Sequence, residues 1–384
     1  QGAIINILGL SIGMAVCVLI VLYVQDELSF DRLHTNAERI YRIAGEYDQG
    51  GDATNRSAVT TYLLAPDLEE GFSAIEEIVR IDNFSGAFIT YEDQQYTEEE
   101  VYYVDSTFLD IFSFPLLAGD ARTALDNPNT AVLSQAMAEK YFGSSVSAVG
   151  KVLTFFDTLS VAVTGVMENM PGNSHLQADF LVSMKTIEPL YPQWILENRT
   201  GTSHYTYVLL NKDADSETLA SQINQLIVDY AGEDEARQRQ YFLQPITDIH
   251  LRSQLTSEIS PNGDIRYVYL FSVVALLIVL IASINYINLA TAYAMKRSRE
   301  VGVRKALGAL KKQLIVQFLS EAILVVAIAF LLAGLLAELS MPFFREITGK
   351  DITLNFLSNF SLIGYLLIIA LGIGLLAGSY PAFF

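Results

Sequence analysis

Four histidines, at positions 34, 175, 204 and 250, are the first residues that metal or general-base chemistry would use, and they are too scattered in sequence to form a ligand cluster. Cys17 is the single cysteine, so the chain has neither a C-x-x-C motif nor an intrachain disulfide. No G-x-x-x-x-G-K-[ST] run occurs, which excludes a P-loop carried by this chain. Serines and carboxylates abound, but none sits beside a histidine or lysine in a recognisable nucleophile setting. The reading predicts no catalytic residue, no metal site and no enzyme. The patterned stretch is instead EVGVRKALGALKKQ, residues 300–313. Val303, Leu307 and Leu310 recur at i, i+4 and i+7 beside Arg304, Lys305 and Lys311, which makes an apolar stripe edged with charge on a helix. Gly302 and Gly308 bracket it where turns are easiest. Such a helix can dock on a cytoplasmic protein or lie on anionic lipid heads, or its charge can serve topology alone.

The elements around this stretch are apolar. At 384 residues, 51% hydrophobic and 17% charged, with a mean hydropathy of +0.33, the chain is too oily for an ordinary soluble protein. A membrane helix needs about 20 mainly apolar residues. Four runs qualify: one from Ala3 to Val24, one at 267–294, one at 314–339 carrying Glu321 and Glu338, and one at 360–384. The first lacks a basic n-region and an A-x-A site, and Val16 is bulky for a lipoprotein cleavage before Cys17, so it reads as a retained helix. The chain opens directly in it at Gln1, and a natural segment is expected to precede it. Glu321 and Glu338 stand near the ends of the third run, where side chains reach the interface, and no facing intramembrane charges suggest an ion relay.

Seven Lys and Arg lie in residues 295–313, opposed only by Glu300, and short basic loops stay in the cytoplasm. Residues 295–313 are therefore inside, while the long segment between helices one and two and the 340–359 loop are outside. That long segment, 26–266, holds most of the 43 acidic residues, a balance that keeps an exported domain soluble and repels nucleic acid. RIYRIAGEY, IEEIVRIDN, AFITYED, EVYYVD, ADFLVSM, HYTYVLLN and QYFLQPI read as strands, and KVLTFF with SVAVTGVME reads as a hairpin. TYLLAPDLEEGF reads as a short helix, NTAVLSQAMAEKYFG (129–143) as a helix capped at Ser134 or at 129–130 and stopped by Gly143, and SETLASQINQLIVDYAG (216–232) as an amphipathic helix burying Leu219, Ile223, Leu226, Ile227 and Tyr230. The fold class is thus an α+β membrane protein with four transmembrane helices, one plus three, and a large mixed α/β extracytoplasmic domain. Its expected parts are 36–104 with 171–256 as one subdomain and 105–170 inserted as a second. Two small-x-x-x-small pairs, Gly9 with Gly13 and Gly374 with Gly378, allow close helix approach, either within the chain or in a dimer.

KRSREVGVRKALGALKKQLIVQFLSEAIL (296–324) resembles the signature segment of ABC-transporter permeases of the MacB and FtsX type, the type VII or mechanotransmission group. The resemblance extends through INILGLSIGMAVCVLIVLYVQDELSFDRLHTNAERIYRI (5–43), LLAGSYPAFF (375–384) and the one-plus-three layout. It implies a porter-like subdomain with an inserted second one, and no cofactor in this chain, ATP and Mg being held by a separate cytoplasmic ATPase. It also implies that this ATPase engages the loop of Glu300, Val301, Gly302, Val303, Arg304, Lys305, Ala306, Leu307, Gly308 and Ala309, reached by helix two extending as a stalk through Arg297. Helix one would extend likewise through QDELSFDRLHTNAERI, with Leu28, Phe30, Leu33, Ala37 and Ile40 packing the stalk. Motion, not substrate, would pass along these helices. Members ending a half in a segment like GSYPAFF often continue into a second half, so a homodimer or pseudo-dimer is implied, in a bacterial inner membrane, with a periplasmic adaptor or substrate protein as a further partner. Efflux, lipoprotein release and signalling to cell-wall enzymes all suit this architecture. The alternative is a membrane-anchored sensor or ligand-binding ectodomain without ATPase coupling.

Overall fold

The computed structural model describes residues 2–48, 54–69, 71–197, 199, 201–296, 303, 311–354, 364, 367, 368, 371, 372 and 375. The chain forms two units, one of residues 1–28 with 265–384 and one of residues 29–264. Along the chain α1 (Gly2–Leu28) is followed by β1 (Ile40–Asp48), β2 (Thr54–Ser57), α2 (Leu64–Glu69), β3 (Ile75–Phe84), β4 (Ala87–Tyr91), β5 (Gln94–Glu98), β6 (Val101–Val104), α3 (Phe108–Ile111), β7 (Leu116–Ala118) and β8 (Thr130–Ser134). Then come α4 (Gln135–Phe142), α5 (Ser145–Ala148), β9 (Val152–Phe155), β10 (Leu159–Met167), β11 (Phe180–Ser183), α6 (Gln193–Glu197), β12 (Tyr205–Leu210), α7 (Ser216–Ala231), α8 (Glu233–Gln238), β13 (Arg239–Pro245) and α9 (Ile246–Arg252). Two long helices follow, α10 (Ile265–Lys296) and α11 (Lys311–Thr348).

In the 29–264 unit the strands form one sheet, ordered β13-β1-β12-β3-β6-β11-β8-β10-β9-β4-β5, with β2 beside β1 and β7 beside β10. Pairing is parallel between β6 and β11 and between β8 and β10, and antiparallel elsewhere. Alternate side chains of one strand enter different cores, as the two-residue period requires. Tyr205, Tyr207 and Leu209 of β12 point to one face, where Tyr102, Phe108, Phe112 and Val132 also pack. Val208 and Leu210 point to the other, under Leu219, Ile223 and Ile227 of α7 and Leu64 and Leu68 of α2. Farther along that second face α4 and α5 cover Val101, Tyr103, Phe180 and Val182 through Ala138, Tyr141 and Ala148. With both faces covered, β12 is buried at every position.

The expected strands and the 152–167 hairpin are present, and α7 has its cap in Asp215, whose side chain accepts from the Thr218 N–H. Leu219, Ile223 and Ile227 of that helix are buried, whereas Tyr230 is 39% exposed. Three expectations are corrected. Of the two starts expected for the 129–143 helix, the Ser134 cap is present, its side chain accepting from the Met137 N–H, and Gly143 with φ 73° is the stop as expected; the earlier start at 129–130 is not, because residues 130–134 are strand β8. TAVLS is buried on both faces, so it carries no alternation to distinguish it from a helix. The predicted stalk through 25–40 is absent: α1 stops at Leu28 and turns follow, because Asp31 takes φ 58°. The third membrane helix runs to Thr348 rather than 339, so residues 340–348 of the predicted 340–359 loop are helical; Gly349, with φ 65° and its N–H on the Arg345 carbonyl, is the stop.

In the other unit, segments 4–28, 265–289 and 315–348 are long and apolar enough to cross a membrane. The fourth predicted run, 360–384, lies outside the described residues apart from six positions. On α11 Ala322, Val326, Ala329, Ala333, Ala337 and Met341 form a buried seam, and Leu10, Met14, Val18 and Leu22 of α1 pack with it. Alanines there let the two backbones approach closely.

Candidate functional site

The segments by which the sheet domain leaves its flanking helices are each fastened by a buried charge. After α1, the short Asp31 side chain tolerates the left-handed backbone that would cost a bulkier residue more. Its Oδ1 accepts from the His175 backbone N–H at 2.9 Å and from the Ser174 hydroxyl at 3.2 Å, and lies 2.9 Å from His175 Nδ1. The Asp31 N–H donates to the Asn173 carbonyl, and Asn173 Nδ2 donates to Ser29 Oγ, both at 2.9 Å. Burial pushes the Asp31 carboxyl up, but the charge and hydrogen bonds of His175 outweigh it and hold the carboxyl below its usual range. The far nitrogen of His175 meets Tyr207 Oη at 2.8 Å. An Asp-His-Tyr chain of this kind suggests proton transfer, yet all three side chains are sealed from solvent, so no substrate reaches it. It acts as an anchor.

The same segment is stapled twice more. Phe30 stacks on His250 of α9 with ring centroids 3.4 Å apart. His34 Nδ1 accepts from the Ser113 N–H at 3.2 Å, while the Thr35 N–H donates to Ser113 Oγ at 3.0 Å. Burial lowers the His34 pKa to about 4, which keeps the ring neutral and able to accept. Phe30, Ala37 and Ile40 are buried and Leu33 packs on the sheet-domain core, so four of the five predicted stalk residues do pack, from turns and the start of β1 instead of a helical stalk; Leu28 is 45% exposed.

At the returning segment the fully buried Arg42 of β1 donates to both oxygens of Glu258, at 2.5 and 3.0 Å, and also to Gln244 and Ser253. Thr256 adds main-chain bonds to Arg56 and Ala58 around β2. Residues 253–258, which lead toward α10, are thereby tied to the first strand.

Of the residues expected from sequence, Gly9 and Gly13 face α10: a Cβ on Gly13 would stand 3.0 Å from Ala282 Cβ, and one on Gly9 would stand 3.7 Å from Asn285 Nδ2. Val303 is helical and exposed. Arg297, Glu300, Val301, Gly302, Arg304, Lys305, Ala306, Leu307, Gly308, Ala309, Gly374 and Gly378 lie outside the described residues. Among the described residues no group of three or more His, Cys, Asp or Glu is placed to hold a metal ion.

A family model described as "MacB-like periplasmic core domain" matches residues 3–226, and one described as "FtsX-like permease C-terminal" matches residues 272–384. The chain belongs to the MacB/FtsX-type permease family. It is 26% identical over 307 residues to the macrolide export ATP-binding/permease protein MacB of Neisseria meningitidis, covering 78% of this chain and 43% of that protein. It is 23% identical over 266 residues to the ABC transporter permease YknZ of Bacillus subtilis, covering 67% of this chain and 61% of that one. The chain thus spans less than half the length of this MacB relative. A crystal structure of a permease-protein domain from Porphyromonas gingivalis overlays with a TM-score of 0.46 at 24% identity, covering 55% of this chain and 92% of that one. In this MacB/FtsX-type chain the two anchors, Asp31 with His175 and Arg42 with Glu258, went unnoticed in the sequence. The usable signal was a charged residue inside otherwise apolar strand or turn text, as in RIYRI and LSFDRLH.

Proposed function

We propose that the chain is the permease of an ATP-driven machine in the bacterial cytoplasmic membrane, with the acidic 29–264 unit outside the cytoplasm. It relays conformational change and does not conduct substrate between its helices. A separate cytoplasmic ATPase, which binds ATP and Mg, engages residues 300–309. One observation carries the reading beyond family membership: both segments that flank the sheet domain are fixed to its core by buried charges, at Asp31 and at Arg42. A domain that only needed tethering would be served by flexible linkers; fixed ends are what the transfer of motion requires. Within the same proposal, 36–104 with 171–256 and 105–170 act as two subdomains, α4 and α5 of the second covering a different stretch of the sheet from α7 of the first. Two copies, or one copy with a second permease half, pair in the bilayer, and an envelope adaptor or substrate protein meets the outer domain.

The test is co-purification with the ATPase from membranes. Leu307→Asp and Arg304→Glu are expected to abolish it while membrane insertion and expression persist. Undiminished co-purification in both variants refutes the reading.

A further inference from the structure

We propose that Lys350 is a force-coupling residue: it fastens the outer end of α11 to the outer end of α1, so that movement begun at the loop before α11 reaches the outer domain through α1 as well as through α10. This rests on the reading of the chain as a permease driven from that loop.

The last turn of α1 breaks a local rule. Asp26 and Glu27 stand where the helix dipole is negative, no basic residue accompanies them in that turn, and Glu27 is only 4% exposed. The compensation comes from far along the chain. Lys350 Nζ lies 2.6 Å from Asp26 Oδ2 and 2.6 Å from Glu27 Oε1, and 5.4 Å from the centroid of the Tyr23 ring. Its backbone position is fixed as well: the Gly349 N–H donates to the Arg345 carbonyl, Arg345 Nε donates to the Ile352 carbonyl at 2.8 Å, and Ile352 packs with Val18, Leu22 and Met341. A doubly acidic helix end, with Glu27 buried, that binds a lysine more than 300 residues away is a local conflict eased by tertiary structure, which is where function is to be sought.

The mechanical need follows from connectivity. Residues 297–310 join α10 to α11 directly, whereas α1 has no covalent link to them. The 38 residues of α11 make a rod of about 57 Å, longer than the ~30 Å hydrocarbon core. Apolar contact between helices in lipid has no hydrophobic driving force behind it. An ammonium shared by two carboxylates, one of them buried and the other only partly exposed, resists separation more strongly. The clamp thus makes α1 follow α11.

The experiment uses the full chain in nanodiscs with its co-purifying ATPase, read by hydrogen exchange. Lys350→Met is expected to speed exchange at residues 20–28 and 345–354 roughly tenfold without nucleotide. It should retain the ATPase yet lose the ATP-dependent exchange change at residues 29–40, which wild type and Lys350→Arg keep. If wild type responds to ATP and Lys350→Met responds equally, or its nucleotide-free exchange stays within about twofold of wild type, the clamp proposal is overturned and the permease reading stands. If wild type retains no ATPase or shows no response, the permease reading falls first and the coupling role with it.

Discussion

Replacing Asp31 by alanine should unfasten the segment that follows α1. The carboxylate accepts from the His175 N–H and the Ser174 hydroxyl and faces His175 Nδ1, in surroundings no more than 3% exposed. Alanine leaves the His175 main-chain N–H and the Ser174 hydroxyl without this acceptor, at about 1–3 kcal/mol for each buried orphan. Alanine at φ 58° adds about 1 kcal/mol of backbone strain. The sum is about 3–7 kcal/mol, set against a typical domain stability of about 5–15 kcal/mol. Asp31→Gly removes the strain component and should cost about 1 kcal/mol less than alanine. Asp31→Asn keeps a short acceptor that tolerates the left-handed backbone but loses the charge facing His175, so it should cost about 1–3 kcal/mol. Native-state hydrogen exchange at residues 31–37 and 174–176 measures the opening free energy directly. A loss below about 1 kcal/mol for Asp31→Ala, or equal losses for Ala and Asn, would show that the buried carboxylate is not what holds the segment.

Glu258→Leu leaves the fully buried Arg42 charge without its carboxylate and should cost about 3–5 kcal/mol in denaturant unfolding, whereas the double variant Arg42→Met/Glu258→Leu should cost less than Glu258→Leu alone; additive losses would contradict this. The outer domain should lose stability as pH falls from 6.5 toward 4. Burial lowers the pKa of His34 to about 4, and burial with the nearby Arg80 does the same for His204, so the unfolded chain takes up protons that the folded one refuses. Stability is therefore complete above pH 6.5, and each histidine can remove up to about 3 kcal/mol by pH 4. His34→Gln and His204→Gln should each flatten the slope of melting temperature against pH in that window, and a flat wild-type profile would refute the assignment.

Legibility varied along the chain for identifiable reasons. RIYRIAGEY and HYTYVLLN read correctly as β1 and β12 because β-branched and aromatic residues crowd them. TAVLS was misread because a strand covered on both faces shows no two-residue alternation, and an alanine-rich helix follows directly. The end of α1 was misread because no glycine or proline marks it; Asp31 turns the chain using partners at 174 and 175. The scattered histidines looked unconnected in sequence, yet His34 and His175 both act on the Asp31 charge.

Composition and periodicity alone determined that the chain has long apolar helices around an acidic α/β domain, and that a basic, patterned loop separates the middle helices. Those properties are local: hydropathy, side-chain period and loop charge are summed over neighbouring residues. The pairings of Asp31 with His175, Arg42 with Glu258 and Lys350 with Asp26 and Glu27 join residues 144, 216 and more than 300 positions apart. Only tertiary structure decides them, because a buried charge is tolerated where folding supplies its partner and nothing in the neighbouring sequence specifies what that partner is.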